Sequence, residues 1–90
     1  MRKQFINSLY GRTLYLVASG TITDTGTEAL IDNTQTFLTK VLVDDVVINT
    51  TTDTEGTVQG VTNDTTLSVL PPGLFPTIGH TYEIYSYTKP

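Results

Sequence analysis

Residues 46–70 read VVINTTTDTEGTVQGVTNDTTLSVL, and this stretch decides the fold class. Val46–Ile48 is the most apolar run within it, which is typical of a buried β-strand. Asn49 and the Thr/Asp run at 50–53 follow and supply the residue types that turns prefer. The first half of the stretch therefore predicts a strand that ends in a turn.

The second half of the same stretch predicts a β-hairpin. Residues 58–62 and 66–70 are rich in Val, Leu and Thr, and the short polar connection 63–65 separates them. Strict alternation fails within the first of these strands, where Gly60 is the natural position for a β-bulge. The residues that we expect in the core of this region are Val46, Ile48 and Leu67.

The residues on the N-terminal side predict two more strands. Residues 13–18 alternate between apolar and other positions, which places Leu14, Leu16 and Ala18 on one face. Residues 27–32 predict a second, short strand, and a polar turn separates it from the first.

One helical turn is expected after this second strand. Asp32 or Asn33 could cap a turn that runs through Phe37. The apolar run 41–43 then leads to a tight acidic corner at 44–45. Apolar residues nowhere repeat at helical spacing over a longer stretch, so we expect no other helix.

The residues on the C-terminal side predict an interruption and a last strand. Prolines and a glycine at 71–73 end regular structure, and residues 74–76 are expected to plug one end of the core. Residues 82–88 alternate as a strand, with Tyr85 and Tyr87 on the same face.

Composition supports the same fold class. Thr accounts for 19 of the 90 residues and Ala for only two, and Thr favours strands whereas Ala favours helices. We predict an all-β protein, specifically a small antiparallel β-sandwich or barrel of about six to seven strands. Residues 13–90 form its single β domain, and residues 1–12, which follow no strand pattern, form an extended basic N-terminal arm.

Charge separates this arm from the domain. Residues 1–12 carry three cations and no acid, a charge of +3, whereas residues 13–90 carry two lysines and all nine acidic residues, a charge of −7. An acidic body repels nucleic acid and anionic membranes, so we expect neither as a partner of the domain. The basic end could dock on a neighbouring copy, touch a phosphate backbone or remain solvated.

We expect the arm to bind a partner subunit through its apolar side chains, while its cations meet acidic groups there. The residues expected to make this contact are Arg2, Lys3, Phe5, Ile6, Leu9, Tyr10 and Arg12. No apolar run of the length of an export signal follows the basic residues, and none approaches the ~20 residues that span a membrane. We therefore expect a protein made without an export signal.

The sequence offers little catalytic or metal-binding chemistry. The only histidine, His80, lies beside a glycine turn, with no nucleophile and acid patterned around it. The chain has no cysteine, which excludes thiol chemistry and makes zinc implausible. Acidic turn residues could offer oxygens to calcium, but their spacing matches no EF-hand loop, and hydrogen bonds to their own turns are the simpler expectation. We predict no catalytic residue, no metal and no cofactor.

Tyr85 and Tyr87 are the one aromatic pair that could stack on a sugar or a base. Their sequence neighbours are acidic or neutral. We therefore prefer the interpretation in which this face packs within the protein or on another subunit.

The middle of the chain resembles a β-rich module found in virion proteins of tailed bacteriophages, including phages of cyanobacteria and marine bacteria. The resemblance covers about residues 30–85, and Asp44 stands where the pattern commonly has glycine. The positions that carry it are Phe37, 41–53, Thr57-Val58, Val61, 66–69, Leu74-Phe75, Gly79 and Tyr82–Tyr85.

This resemblance implies a non-enzymatic structural protein of the virion, assembled in the host cytoplasm. Within the virion we favour a capsid decoration, or cement, protein that bridges capsid subunits. Its partners would be the major capsid protein or other virion proteins, and other copies of itself. The alternatives are a neck, tail or fibre component and a glycan-binding adhesion module.

Overall fold

The computed structural model describes residues 13–88 of the chain. Its strands are β1 (Tyr15–Thr21), β2 (Ala29–Ile31), β3 (Val46–Asn49), β4 (Thr54–Asn63), β5 (Thr66–Leu70) and β6 (Thr81–Ser86). They form one sheet in the order β1-β6-β3-β4-β5-β2, and every pair of neighbouring strands is antiparallel. The sheet curls into a half-barrel, which confirms the expected all-β class.

The hairpin between β4 and β5 forms as the sequence predicts. Asn63 pairs with Thr66 across a two-residue connection, and the Asn63 side-chain oxygen accepts hydrogen bonds from the Thr65 amide and hydroxyl. The register of the two strands shifts between Val58 and Gly60. The predicted bulge at Gly60 is confirmed.

Buried apolar side chains lie on both faces of the sheet. We call the side of the larger cluster the major face; its cluster is Ala18, Ile22, Leu30, Phe37, Val41, Val47, Val58, Leu67, Val69, Leu74, Phe75, Tyr82 and Ile84. We call the other side the minor face; its cluster is Leu14, Val46, Ile48 and Tyr85, with half-buried Tyr87 packed against them.

Strand β3 is buried on both faces because it lies near the centre of the sheet, between β6 and β4. Val46 and Ile48 are fully buried on the minor face, and Leu67 of β5 is fully buried on the major face. The three core residues predicted from the sequence are therefore confirmed. Phe75 is also buried in the major cluster, as expected for a residue that plugs the core.

Strand β1 departs from the expected alternation. Its register against β6 shifts between Leu16 and Ala18. Because of this shift, side chains at every second position before and after it no longer share one face of the sheet. Leu14 packs in the minor cluster, Ala18 packs in the major cluster, and Leu16 is 43% exposed. The prediction that these three residues share one face is wrong, because a bulge changes which side chains face the core.

The short helical turn also lies elsewhere than expected. A 3-10 turn begins at Phe37 and ends at Thr39, and the residue before it, Thr36, makes no side-chain cap. The Asp32 carboxylate instead accepts hydrogen bonds from the amide and hydroxyl of Thr34. The turn therefore starts where we expected it to end, because Asp32 closes its own local turn rather than capping a helix.

Candidate interaction surface

The 3-10 turn and the loop that joins it to β3 expose three large apolar side chains. Leu38 is 60% exposed, and Leu42 and Val43 are each 56% exposed. Single exposed leucines are ordinary on protein surfaces, but several close together on one loop are typical of a contact with another molecule. We name residues 38–43 the apolar loop.

Backbone hydrogen bonds hold the end of this loop against β4. The Asp44 amide donates to the Val58 carbonyl (2.8 Å), and the Val58 amide donates to the Asp45 carbonyl (2.9 Å). Asp44 has a φ of +77°, a left-handed conformation that Asp tolerates better than most residues other than glycine. Glycine could adopt the same conformation without strain.

The side chain of Asp45 ties the same loop to the core. Its carboxylate accepts a hydrogen bond from the Leu42 amide (2.9 Å), and the Ser86 hydroxyl also donates to it. Burial raises the pKa of Asp45 above its usual range, although these hydrogen bonds oppose the shift, and the negative charge of Asp44 adds to it. Leu42 is therefore exposed on a loop that is held in place by two sets of hydrogen bonds. One set is made by the Asp45 side chain, and the other is made by the main chain with Val58.

A groove of about 300 Å³ lies beside the apolar loop. Val17 of β1, Leu38, Leu42 and Ser86 contribute to its walls, together with Lys40. The Lys40 ammonium donates a hydrogen bond to the Gln35 side chain (3.2 Å). This volume is at the lower end of ligand pockets and suits an inserted apolar side chain with a polar neighbour.

His80, the only histidine, has a structural contact. The Asn49 side-chain amide donates to His80 Nδ1 (2.9 Å) and to the Leu74 carbonyl (2.9 Å). The oxygen of the same amide accepts hydrogen bonds from the Thr51 and Thr52 amides. Asn49 is fully buried. Its hydrogen bonds join the turn after β3, the loop after β5 and the residue before β6.

The acidic turn residues do not gather into a metal site. Among residues 13–88, no group of three or more His, Cys, Asp or Glu side chains is placed to hold a metal ion. Asp64 instead accepts hydrogen bonds from the Phe37 and Leu38 amides, through its carbonyl and its carboxylate respectively. This contact fixes the 3-10 turn, and with it the start of the apolar loop, to the β4–β5 hairpin.

Tyr85 is part of the minor cluster and offers no open stacking platform. It is 4% exposed, and its hydroxyl donates to the Glu83 carboxylate (2.5 Å). Burial, together with this hydrogen bond and the charge of Glu83, raises the pKa of Tyr85 well above its usual range. The face of Tyr85 and Tyr87 packs within the protein, as we preferred from the sequence.

A buried Asp32–Tyr82 pair is the polar feature that the sequence did not predict. The Tyr82 hydroxyl donates to Asp32 Oδ2 (2.6 Å), and both residues are almost fully buried. Burial alone would raise the pKa of Asp32, but the hydrogen bonds from Thr34, Tyr82 and Gln35 outweigh it and lower the pKa. A Cβ at Gly20 would lie 2.6 Å from Asp32 Oδ2, so the glycine is the one sequence signal for this pair.

The expected arm contacts cannot be placed in this surface, because they lie outside the described residues. They are Arg2, Lys3, Phe5, Ile6, Leu9, Tyr10 and Arg12. Their role in binding a partner stays a prediction.

No family model, curated protein or solved structure matches the chain. Among residues 13–88, no helix is long and apolar enough to cross a membrane.

Proposed function

We propose that this chain is a non-enzymatic structural protein of a tailed-phage virion, and specifically a capsid decoration protein. The observation that carries the proposal is the apolar loop, on which Leu38, Leu42 and Val43 are exposed beside a groove. Exposed apolar side chains on a loop that hydrogen bonds hold in place are suited to burial against another protein. The resemblance of residues 30–85 to virion modules supplies the setting.

The polar chemistry of the described residues also favours a structural role. The buried side chains of Asn49 and Asp32 are used in hydrogen bonds that hold loops and strands together. His80 contacts the Asn49 side-chain amide. Such groups stabilise a small domain, and a protein that works outside the cell gains from them.

The apolar loop would attach the protein to the major capsid protein or to another virion protein. Leu42 and Leu38 would be buried at the centre of this contact, with Lys40 at the polar edge of the groove. The arm would be a second point of contact, with virion proteins or with other copies of this chain. The acidic body would meet a basic or neutral surface rather than nucleic acid.

Copy number separates the decoration protein from the other virion roles. We expect purified particles to contain hundreds of copies, since a protein that bridges capsid subunits repeats over the whole shell. Quantitative mass spectrometry of the particles, with the major capsid protein as internal standard, measures this number. A dozen or fewer copies would indicate a neck, tail or fibre component, and absence from the particles would contradict a virion role.

The glycan-binding alternative has less support, because Tyr85 is buried and hydrogen-bonded to Glu83. A glycan array with the full chain tests it. Specific binding that is lost on Tyr87→Ala would favour adhesion over attachment to the shell.

A further inference from the structure

The apolar loop and the residue after it carry opposite charges on opposite sides of Leu42. Lys40 lies toward β1, because its ammonium contacts the Gln35 side chain, whose amide donates to the Ser19 carbonyl of β1 (2.8 Å). Asp44 lies toward β4, because its amide donates to a main-chain carbonyl of that strand (2.8 Å). Strands β6 and β3 separate β1 from β4 in the sheet. The cation and the acid are therefore held on different sides of the loop.

The exposed apolar side chains of the loop lie beside a groove that can receive them. Leu42 is 56% exposed and forms one wall of this groove, and Leu38 and Val17 contribute to the other walls. When a protrusion adjoins a recess on one surface, a two-fold axis brings the protrusion of each copy to the recess of the other. This surface therefore offers both halves of a symmetric contact.

Charge favours the same partner. A two-fold axis close to Leu42 exchanges the two sides of the loop, so Lys40 of each copy faces Asp44 of the other. Both charged side chains are exposed, and Lys40 is the only cation among residues 13–88, which contain nine acidic residues. Opposite charges that meet across an interface select the partner and its orientation. A second copy of this chain supplies the acid that the exposed Lys40 requires, in the position that the symmetry requires.

We propose that two copies of the free protein pair through the apolar loop, around a two-fold axis near Leu42. Leu42 of each copy packs into the groove of the other, and two Lys40–Asp44 pairs flank this contact. Three exposed side chains cover less than the ~1,200 Å² of a standard interface, and each chain has a net charge of −4, so the pairing is weak and reversible. This inference goes beyond the proposed function, because it concerns the protein before attachment. On the particle, the virion partner takes the place of the second copy.

Sedimentation equilibrium of the full chain, without particles, tests the pairing. Between about 10 µM and 1 mM, we expect the average mass of the wild type to rise from one chain, 9.8 kDa, towards two. Leu42→Ser should remain a monomer, whereas Ile78→Ser, which replaces a similarly exposed side chain away from the groove, should associate as the wild type does. A wild type that stays monomeric, a mass that passes two chains, or a folded Leu42→Ser variant that associates equally would overturn the proposal. None of these results bears on attachment to particles, which is a separate measurement.

Charge variants test the two-fold arrangement in the same experiment. Lys40→Glu turns both attractive pairs into repulsive ones, so we expect the dissociation constant of the dimer to rise at least about tenfold. The matched control, Thr52→Asp combined with Thr77→Asp, makes the net charge equally more negative at exposed positions outside the loop and the groove. It should change the dissociation constant by less than about threefold, because distant surface charges are screened. Equal changes for Lys40→Glu and the control would overturn the arrangement, since net charge alone would then explain both.

Discussion

The major and minor faces of the sheet are both buried at their centres, but they are closed in different ways. Over the major face, Phe37 of the 3-10 turn and Phe75 of the loop after β5 pack edge-on against the Tyr82 ring, at centroid distances of 6.3 and 6.2 Å. On the minor face, the described cluster comes from the sheet itself and from residues next to strand ends. The comparison teaches that loop side chains complete the core of the major face, whereas the described cluster of the minor face consists of strand residues and their immediate neighbours in the chain.

The largest effect is expected where a loop side chain closes the major face. Phe37→Ala should cost about 3–5 kcal/mol of unfolding free energy, because it opens a cavity beside Tyr82. The neighbouring Leu38→Ala should change stability by less than about 0.5 kcal/mol, because that side chain is largely exposed. Urea denaturation of both variants measures the difference. Similar costs for the two would mean that the 3-10 turn does not close the core.

Ile48→Ala makes the corresponding change on the minor face. We expect a loss of about 2–5 kcal/mol in the full chain, since the side chain is fully buried. Leu16→Ala, in β1 opposite Tyr85, is a control at a more exposed position and should cost less. Thermal denaturation followed by circular dichroism compares them. An unchanged melting temperature for Ile48→Ala would mean that the minor face is open to solvent.

The Asp32–Tyr82 pair should make a smaller contribution to the major face. Asp32→Asn keeps the shape but weakens the hydrogen bond from the Tyr82 hydroxyl, so we expect a loss of about 1–3 kcal/mol at pH 7. The pKa of Asp32 is lowered in the folded protein, so its stabilising effect is present above the unfolded pKa near 4 and is lost as the pH falls through the folded value. Denaturation between pH 7 and 2 should therefore show a smaller acid-dependent loss in Asp32→Asn than in the wild type. Equal pH profiles would contradict this role.

The contribution of Asp45 to stability should depend on pH in the opposite direction to that of Asp32, and replacing Asp45 should have the smallest effect of these substitutions. Burial raises its pKa in the folded protein, so the ionised carboxylate lowers stability at pH values above the folded pKa, and protonation at lower pH relieves this cost. Asp45→Asn can still accept the hydrogen bond from the Leu42 amide, and we expect it to change stability at pH 7 by less than about 1 kcal/mol, in the stabilising direction. The same denaturation series measures it, and a loss as large as that of Asp32→Asn would show that the two carboxylates are equivalent.

The sequence predicted the features that depend on local pattern. The apolar run at 46–48, the bulge at Gly60 and the hairpin at 63–66 lie where expected, because alternation and turn residues determine them locally. The prediction of the face on which Ala18 lies was wrong, because the bulge in β1 depends on the pairing of this strand with β6. The Asp32–Tyr82 contact joins residues 50 positions apart, and no local signal beyond Gly20 indicates it.

The candidate surface was missed for a related reason. Periodicity identifies apolar residues but does not say which of them a loop leaves exposed, so the run 41–43 gave no indication that Leu42 and Val43 lie outside the core while Val41 lies within it. The hydrogen bonds of Asp44 and Asp45 to β4 and to Leu42 produce this arrangement, and they involve contacts that only the folded chain shows.

Attachment through the apolar loop is the central claim, and binding to phage particles that lack the protein tests it most directly. Leu42→Ser and Ile78→Ser replace side chains of similar exposure, 56% and 60%, and only Leu42 lies at the groove. We expect co-sedimentation of purified full-length protein with the particles to weaken at least about tenfold for Leu42→Ser, as for a side chain at the centre of an interface, and to stay at the wild-type level for Ile78→Ser. Wild-type binding by a folded Leu42→Ser variant would contradict the claim.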